Sequence, residues 1–189
     1  MASRWKFALA LGALWLLVAS SSYAEGVKVG DPAPQWSGII GTDDAKHGLG
    51  DYKDAKAIVL VFTCNHCPVA VAYEDRLIEL AKDYKSKGVQ VVAVNVNNIE
   101  ADRLDKMKVR AEKKGFNFPY IYDSSQKMGH DYGAKVTPHV FILDKDRKVA
   151  YIGSVDDNQQ AKAVKKTYVR DALDALLAGK EVPKAETKA

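Results

Sequence analysis

The stretch Ala57-Ile58-Val59-Leu60-Val61-Phe62-Thr63-Cys64-Asn65-His66-Cys67-Pro68 runs from a wholly apolar segment straight into a pair of cysteines. Its first six residues are short, apolar and rich in β-formers, the pattern of a strand buried on both faces of a sheet. Beyond Pro68 the period changes. Ala70, Tyr73, Leu77, Leu80, Ala81 and Tyr84 recur at helical spacing, and Gly88 is placed to end that helix. A Cys-x-x-Cys pair therefore lies at a strand-to-helix junction.

Outward from that junction the alternation continues. Val89 to Val94 reads as a second buried strand, and the charged stretch Ala101 to Lys114 as a helix stopped by Gly115. Such β-α-β-α order favours a parallel sheet covered by helices. Tyr120 to Tyr122 reads as a short strand, and Asp123-Ser124-Ser125-Gln126 as a capping box opening a short helix that ends before Gly133. His139 to Leu143 and Lys148 to Ile152 are strand-like runs joined by the turn-rich Asp144-Lys145-Asp146-Arg147, an antiparallel hairpin. A last helix is expected around Val164 to Leu177, with Gly179 as its stop. Upstream, Gly30-Asp31-Pro32-Ala33-Pro34 opens an irregular leader with a short strand near Ile39 and Ile40. The fold class expected from this order is α/β, a central mixed β-sheet covered by helices on both faces. One domain over residues 25–180 is expected, followed by a mobile polar tail over 181–189.

The amino terminus reads as an address. Arg4 and Lys6 precede an apolar run from Phe7 to Val18, and Ser22 and Ala24 occupy small-residue cleavage positions, so a signal peptide over residues 1–24 is expected. The run is too short for the roughly 20 apolar residues that span a bilayer. The expected location is thus periplasmic or secreted, with no stable membrane span after cleavage. Removing those residues lowers the charge balance from 28 basic against 24 acidic to 26 against 24. A nearly neutral chain with dispersed charges offers no basic stripe for nucleic acid.

The chain's two cysteines, two residues apart, cannot be a structural disulfide framework. At a helix start, unpaired N–H groups and the helix dipole stabilise a thiolate. Cys64 is accordingly expected to be the exposed nucleophile, and Cys67, about a turn further in, the resolving cysteine. The competing reading is a pair of buried thiols or half a zinc site, but a second Cys pair is lacking. His66 is a candidate for tuning Cys64, since a nearby imidazolium favours the thiolate and makes the disulfide more oxidising. Its alternative is a solvated surface histidine.

The segments Val29-Gly30-Asp31-Pro32-Ala33-Pro34, Phe62-Thr63-Cys64-Asn65-His66-Cys67-Pro68, Thr137-Pro138-His139-Val140-Phe141-Ile142-Leu143-Asp144 and Tyr151-Ile152-Gly153 together resemble the thioredoxin superfamily. Within it, the chain is most similar to exported, peroxiredoxin-like, redoxin-type proteins. The resemblance implies a thiol-disulfide oxidoreductase with Cys64 and Cys67 as its catalytic pair and no cofactor. It also implies a cis peptide between Thr137 and Pro138, with Thr137 and Pro138 binding a substrate strand. Partners would be protein thiols or disulfides and an unidentified redox partner.

Departures from the pattern matter. Thr63 stands where thioredoxins carry Trp, and Ile58 to Phe62 holds no acidic residue for proton transfer. Another group must handle the proton on Cys67, or fast generic reduction is compromised. The peroxide-binding Pro-x-x-x-Thr/Ser-x-x-Cys pattern is also missing, so a thiol peroxidase of peroxiredoxin type is expected to be weak. A Sco-like copper-binding alternative draws on the two thiolates with His130 or His139, although Sco cysteines lie three residues apart. Haem attachment is excluded because Pro68 follows Cys67 where a His is required. Trp36, Tyr73 and Tyr84 are expected in the core, and Asp156-Asp157-Asn158 in a solvated turn.

Overall fold

Six consecutive residues of Ala57–Phe62 (β3) are buried, because this strand lies inside the sheet with helices or leader on both of its faces. The computed structural model describes residues 26–189, and the expected signal peptide lies outside them. Around β3 run the strands Ile39–Gly41 (β1), Lys46–His47 (β2), Val89–Asn95 (β4), Tyr120–Tyr122 (β5), His139–Leu143 (β6) and Val149–Gly153 (β7). Their order is β2-β1-β5-β4-β3-β6-β7. Parallel pairing joins β3 to β4 and β4 to β5, while β6 and β7 run antiparallel on the other side of β3. The sheet is mixed, as expected from the β-α-β units followed by a hairpin.

The period of two in β3 builds two cores. Val59 and Val61 face Tyr73, Leu77 and Leu80 of helix Pro68–Lys85 (α1), Met107 of Leu104–Lys114 (α2) and Leu173 of Tyr168–Leu177 (α4). Ile58, Leu60 and Phe62 face the leader residues Trp36 and Leu49, and Met128 and Tyr132 of the short helix Lys127–Tyr132 (α3). Trp36, Tyr73 and Tyr84 are all core residues.

Three local readings need correction. Helix α1 begins at Pro68, with Cys67 as its N-cap in an extended conformation (φ −71°, ψ 118°), so Cys67 does not lie inside the first turn. Proline at the first helical position sets this boundary, since its missing N–H costs nothing there. The capping box before α3 is absent. Gln126 is the N-cap with φ 62°, and the Asp123 carboxylate accepts from the Met128 N–H at 2.7 Å and the Ser125 N–H at 3.1 Å. Finally, the polar end of the chain is docked. Ile152 N–H donates to Ala185 C=O at 2.9 Å and Thr187 N–H to Ile152 C=O at 3.0 Å, while Thr187 Oγ1 meets the buried Tyr151 hydroxyl at 2.7 Å. Tyr151 needs a partner for its hydroxyl and β7 has a free edge, and the tail supplies both.

Asp156 also has structural work. It pairs with Arg76, whose guanidinium further donates to the carbonyls of Asn158 and Gln159 at 2.8 and 2.7 Å and lies 3.7 Å from the Tyr73 ring centroid. Asp157 accepts the N–H groups of Lys165 and Lys166.

Candidate active site

Where β3 ends, Thr63 N–H still donates to Val94 C=O at 2.9 Å, and the chain then leaves the sheet at Cys64. The Cys64-Asn65-His66-Cys67 loop is held from below by Asp102, which sits on a 3-10 turn, Glu100–Asp102, following β4. Asp102 is wholly buried. Its Oδ1 accepts the Asn65 N–H at 2.7 Å and the His66 N–H at 3.2 Å, and its Oδ2 meets the His66 ring Nδ1 and the Asn97 side-chain amide, the latter at 3.1 Å. Four donors around one carboxylate satisfy the requirement for burying a charge. The loop is tied again where Tyr120 donates to Asn65 Oδ1 at 3.1 Å and Asn65 Nδ2 donates to Ala101 C=O at 2.9 Å.

Both cysteines are free thiols, and each sulfur lies against Thr137. Their surroundings reverse what the sequence predicts. Cys64 is 3 % exposed and Cys67 is the more accessible of the two. Burial pushes the Cys64 thiol up, and the negative charge of Asp102 adds to it, against partial relief from the Thr137 hydroxyl at 3.4 Å. Burial also acts on Cys67, but there the N–H groups of Ala70 and Val69 and the thiol of Cys64 outweigh it. Cys67 is held below the ordinary thiol range. The helix terminus that was expected to favour a Cys64 thiolate serves Cys67 instead, because α1 starts at Pro68 with Cys67 as its N-cap.

Thr137 closes the site from the other side. Its hydroxyl lies on Cys64, and its carbonyl accepts from the Cys67 thiol at 3.6 Å. The Thr137–Pro138 peptide is cis. Cys67 opens on a cleft of about 530 Å³ lined by Phe62, His66, Val96, Ile99, Val136 and Thr137. Ile99 and Val136 are 50 % and 48 % exposed, unusual for apolar side chains.

His66 is not a free surface imidazole, since its ring is engaged by Asp102, and no hydrogen bond joins it to Cys64. Among the described residues, Cys64, His66 and Asp102 are the one set of thiol, imidazole and carboxylate groups whose ligand atoms converge, within 4.8 Å. Asp102 and His66 are already each other's hydrogen-bond partners, so the arrangement is that of a held imidazole beside a thiol. His139 and His130 are not in it. His139 is buried, with Nδ1 3.4 Å from the Lys135 N–H and its ring 4.6 Å from that of Phe141, and His130 is exposed on α3. The copper alternative therefore lacks the histidine ligand it drew on.

Asp102 is the site residue that sequence reasoning missed. Asn65 and Asp102 are 37 positions apart, and an acidic residue in a charged stretch carries no local mark of burial. It answers the question raised by the apolar β3: the acidic group near the pair comes from the turn after β4.

The model of the Redoxin family matches residues 28–169 of this chain. A curated relative, "Thiol-disulfide oxidoreductase ResA" of Geobacillus thermodenitrificans, is 30 % identical over 149 residues, covering 76 % of this chain and 80 % of its own length. The crystal structure of an uncharacterized conserved protein from Geobacillus kaustophilus superposes with a TM-score of 0.79 at 38 % identity, covering 85 % of this chain and 87 % of that one. The thioredoxin domain of a thiol-disulfide oxidoreductase from Bacteroides vulgatus shares the fold, with a TM-score of 0.59 at 18 % identity over 67 % of this chain and 89 % of that one.

Proposed function

The chain belongs to the Redoxin family, and we propose that it is a thiol-disulfide oxidoreductase exchanging disulfides with protein substrates through Cys64 and Cys67. The observation that carries this reading is the placement of two free thiols against one residue, Thr137, at the start of α1, one buried and one open to a cleft. A pair so placed can pass two electrons to or from a substrate disulfide, with a mixed disulfide as the intermediate.

Thr137 lines the cleft beside Cys67, and an extended substrate segment would lie along the backbone at Thr137 and Pro138. His66, held by Asp102, would act on the protonation of the buried thiol rather than as a free cation beside it. No helix among the described residues is long and apolar enough to cross a membrane. With Arg4, Lys6 and the run Phe7 to Val18 at the amino terminus, the working location would be outside the cytoplasm, where a redox-active pair meets disulfides.

The test is transfer of reducing equivalents to a protein disulfide. Reduced protein mixed with insulin should lose both thiols as the insulin disulfides open, in equal numbers. The Cys64→Ala/Cys67→Ala double variant should transfer none. Transfer by that double variant would remove the pair from the chemistry.

A further inference from the structure

We propose that Cys67 is the cysteine that attacks the substrate disulfide and Cys64 the one that resolves it, its proton passing to the His66 imidazole held by Asp102. The inference rests on the disulfide-exchange reading above and fixes the order of events within it.

Geometry carries it. Only Cys67 reaches the cleft bounded by Ile99, Val136 and Thr137, where a substrate disulfide can approach. Cys64 is 3 % exposed, covered by Thr137 above and by the Asp102-held loop below. An incoming disulfide needs an in-line path to the attacking sulfur, and the mixed disulfide needs room for the substrate chain. Cys64 offers neither. Cys67 is the N-cap of α1, where the first backbone N–H groups of the helix lack intrahelical partners, and its thiol is held below the ordinary range, a setting suited to a thiolate. Cys64 has Asp102 close by, an array suited to a thiol that keeps its proton until needed.

The steps balance. The Cys67 thiolate attacks one sulfur of the substrate disulfide, forming a bond to it and expelling the other sulfur as a thiolate. Cys64 then gives its proton to His66, paired through Nδ1 with Asp102, and attacks the Cys67 sulfur. The Cys64–Cys67 bond forms, the bond between Cys67 and the substrate breaks, and the second substrate thiolate leaves. The two expelled thiolates take up two protons, one of them the Cys64 proton by way of His66 and solvent. The substrate disulfide is reduced by two electrons and the pair oxidised by two.

The experiment uses the single variants Cys64→Ser and Cys67→Ser with glutathione disulfide as probe. Cys64→Ser should form a stable mixed disulfide with glutathione at Cys67, seen by mass spectrometry of the intact protein. Cys67→Ser should form it at least about tenfold more slowly, since its remaining thiol is buried and mostly protonated. Wild-type reduced protein given less than one equivalent of iodoacetamide should carry the label at Cys67, which is independent of how either variant folds. Trapping in Cys67→Ser as fast as in Cys64→Ser, or first labelling at Cys64, overturns the order while leaving disulfide exchange intact. Trapping in neither, with a wild-type pair that gives glutathione disulfide no electrons, overturns the exchange reading and the order together.

For the proton acceptor, His66→Ala in the wild-type background should slow closure of the internal disulfide and let the Cys67 mixed disulfide accumulate. Its formation rate should be unchanged. Slowed formation with unchanged closure would instead make His66 a substrate-approach residue and remove it from the proton step.

Discussion

The ring Nδ1 of His66 is hydrogen-bonded to Oδ2 of Asp102, a carboxylate with no exposure to solvent. Because Asp102 also accepts the N–H groups of Asn65 and His66, one buried charge fixes both the imidazole and the backbone of the loop between the cysteines. The strand–loop–helix unit is common to the fold, but the anchor of its loop is supplied here by the turn after β4.

Asp102→Asn is the direct probe of that anchor. The amide keeps one oxygen for the Asn65 N–H but turns an NH₂ toward the His66 ring and the Asn97 amide, both donors in the native arrangement. Loss of about 1–3 kcal/mol of stability is expected, read from urea unfolding. Removing the negative charge should also let Cys64 ionise at lower pH than in the wild type, since Asp102 is one of the groups that raise it. An unchanged Cys64 titration, followed in the Cys67→Ser background, would show that burial alone sets it.

Titration of the reduced protein should separate the thiols. Thiolate absorbance is expected to rise in two steps, Cys67 below the ordinary thiol range near about 8.5 and Cys64 above it. The sign for stability differs between them. Cys67, depressed on folding, contributes stability that is present above its unfolded value and lost as pH falls through its folded one. Cys64, raised on folding, contributes stability present below its unfolded value and lost as pH rises through its folded one. A single step shared by both thiols would contradict the two environments.

Away from the pair, Arg110 reaches from α2 to the buried Glu74 of α1, with Nε 2.8 Å and Nη2 2.7 Å from the two carboxylate oxygens. Arg110→Ala should cost about 2–4 kcal/mol, because Glu74 is left charged and buried. The lower end applies to the extent that Lys114, 3.8 Å away, takes over the charge. Replacing both residues by Leu should recover much of the loss. A double variant as unstable as Arg110→Ala would mean that packing, and not the stranded carboxylate, sets the cost.

Much of this arrangement was legible in the residues, and the exceptions share a cause. The period of β3, the stop at Gly115 and the hairpin around Asp144 to Arg147 are local patterns, and they correspond to β3, to the end of α2 (Gly115 at φ 67°) and to the β6–β7 turn. The exposure of the two cysteines depended on where α1 begins. Pro68 signalled that start, although the spacing of the apolar residues did not. Asp102 and the docked tail depend on contacts between distant parts of the chain, Asn65 with Asp102 and Tyr151 with Thr187, and composition alone marks such residues as solvated.

The tail gives a separate check. Thr187 Oγ1 accepts the Ser154 N–H at 3.0 Å as well as meeting the Tyr151 hydroxyl, and its atoms fill the space beside Gly153 where a Cβ would fall 2.0 Å from Oγ1. Removing residues 181–189 should lower stability by about 1–2 kcal/mol in urea or thermal unfolding, through the lost hydrogen bonds of Tyr151 and the opened edge of β7. A truncated chain as stable as the full one would return these residues to the mobile tail their composition suggests.

The most direct test of disulfide chemistry at this pair is its reduction potential. Protein equilibrated across a series of dithiothreitol or glutathione redox buffers, quenched in acid and scored by mass for the internal disulfide, should follow one two-electron transition. Because the α1 N–H groups stabilise the Cys67 thiolate and so the reduced form, the midpoint should lie above the roughly −270 mV of thioredoxin. A midpoint at or below that value, or failure of Cys64 and Cys67 to form an internal disulfide in any buffer, would contradict the account.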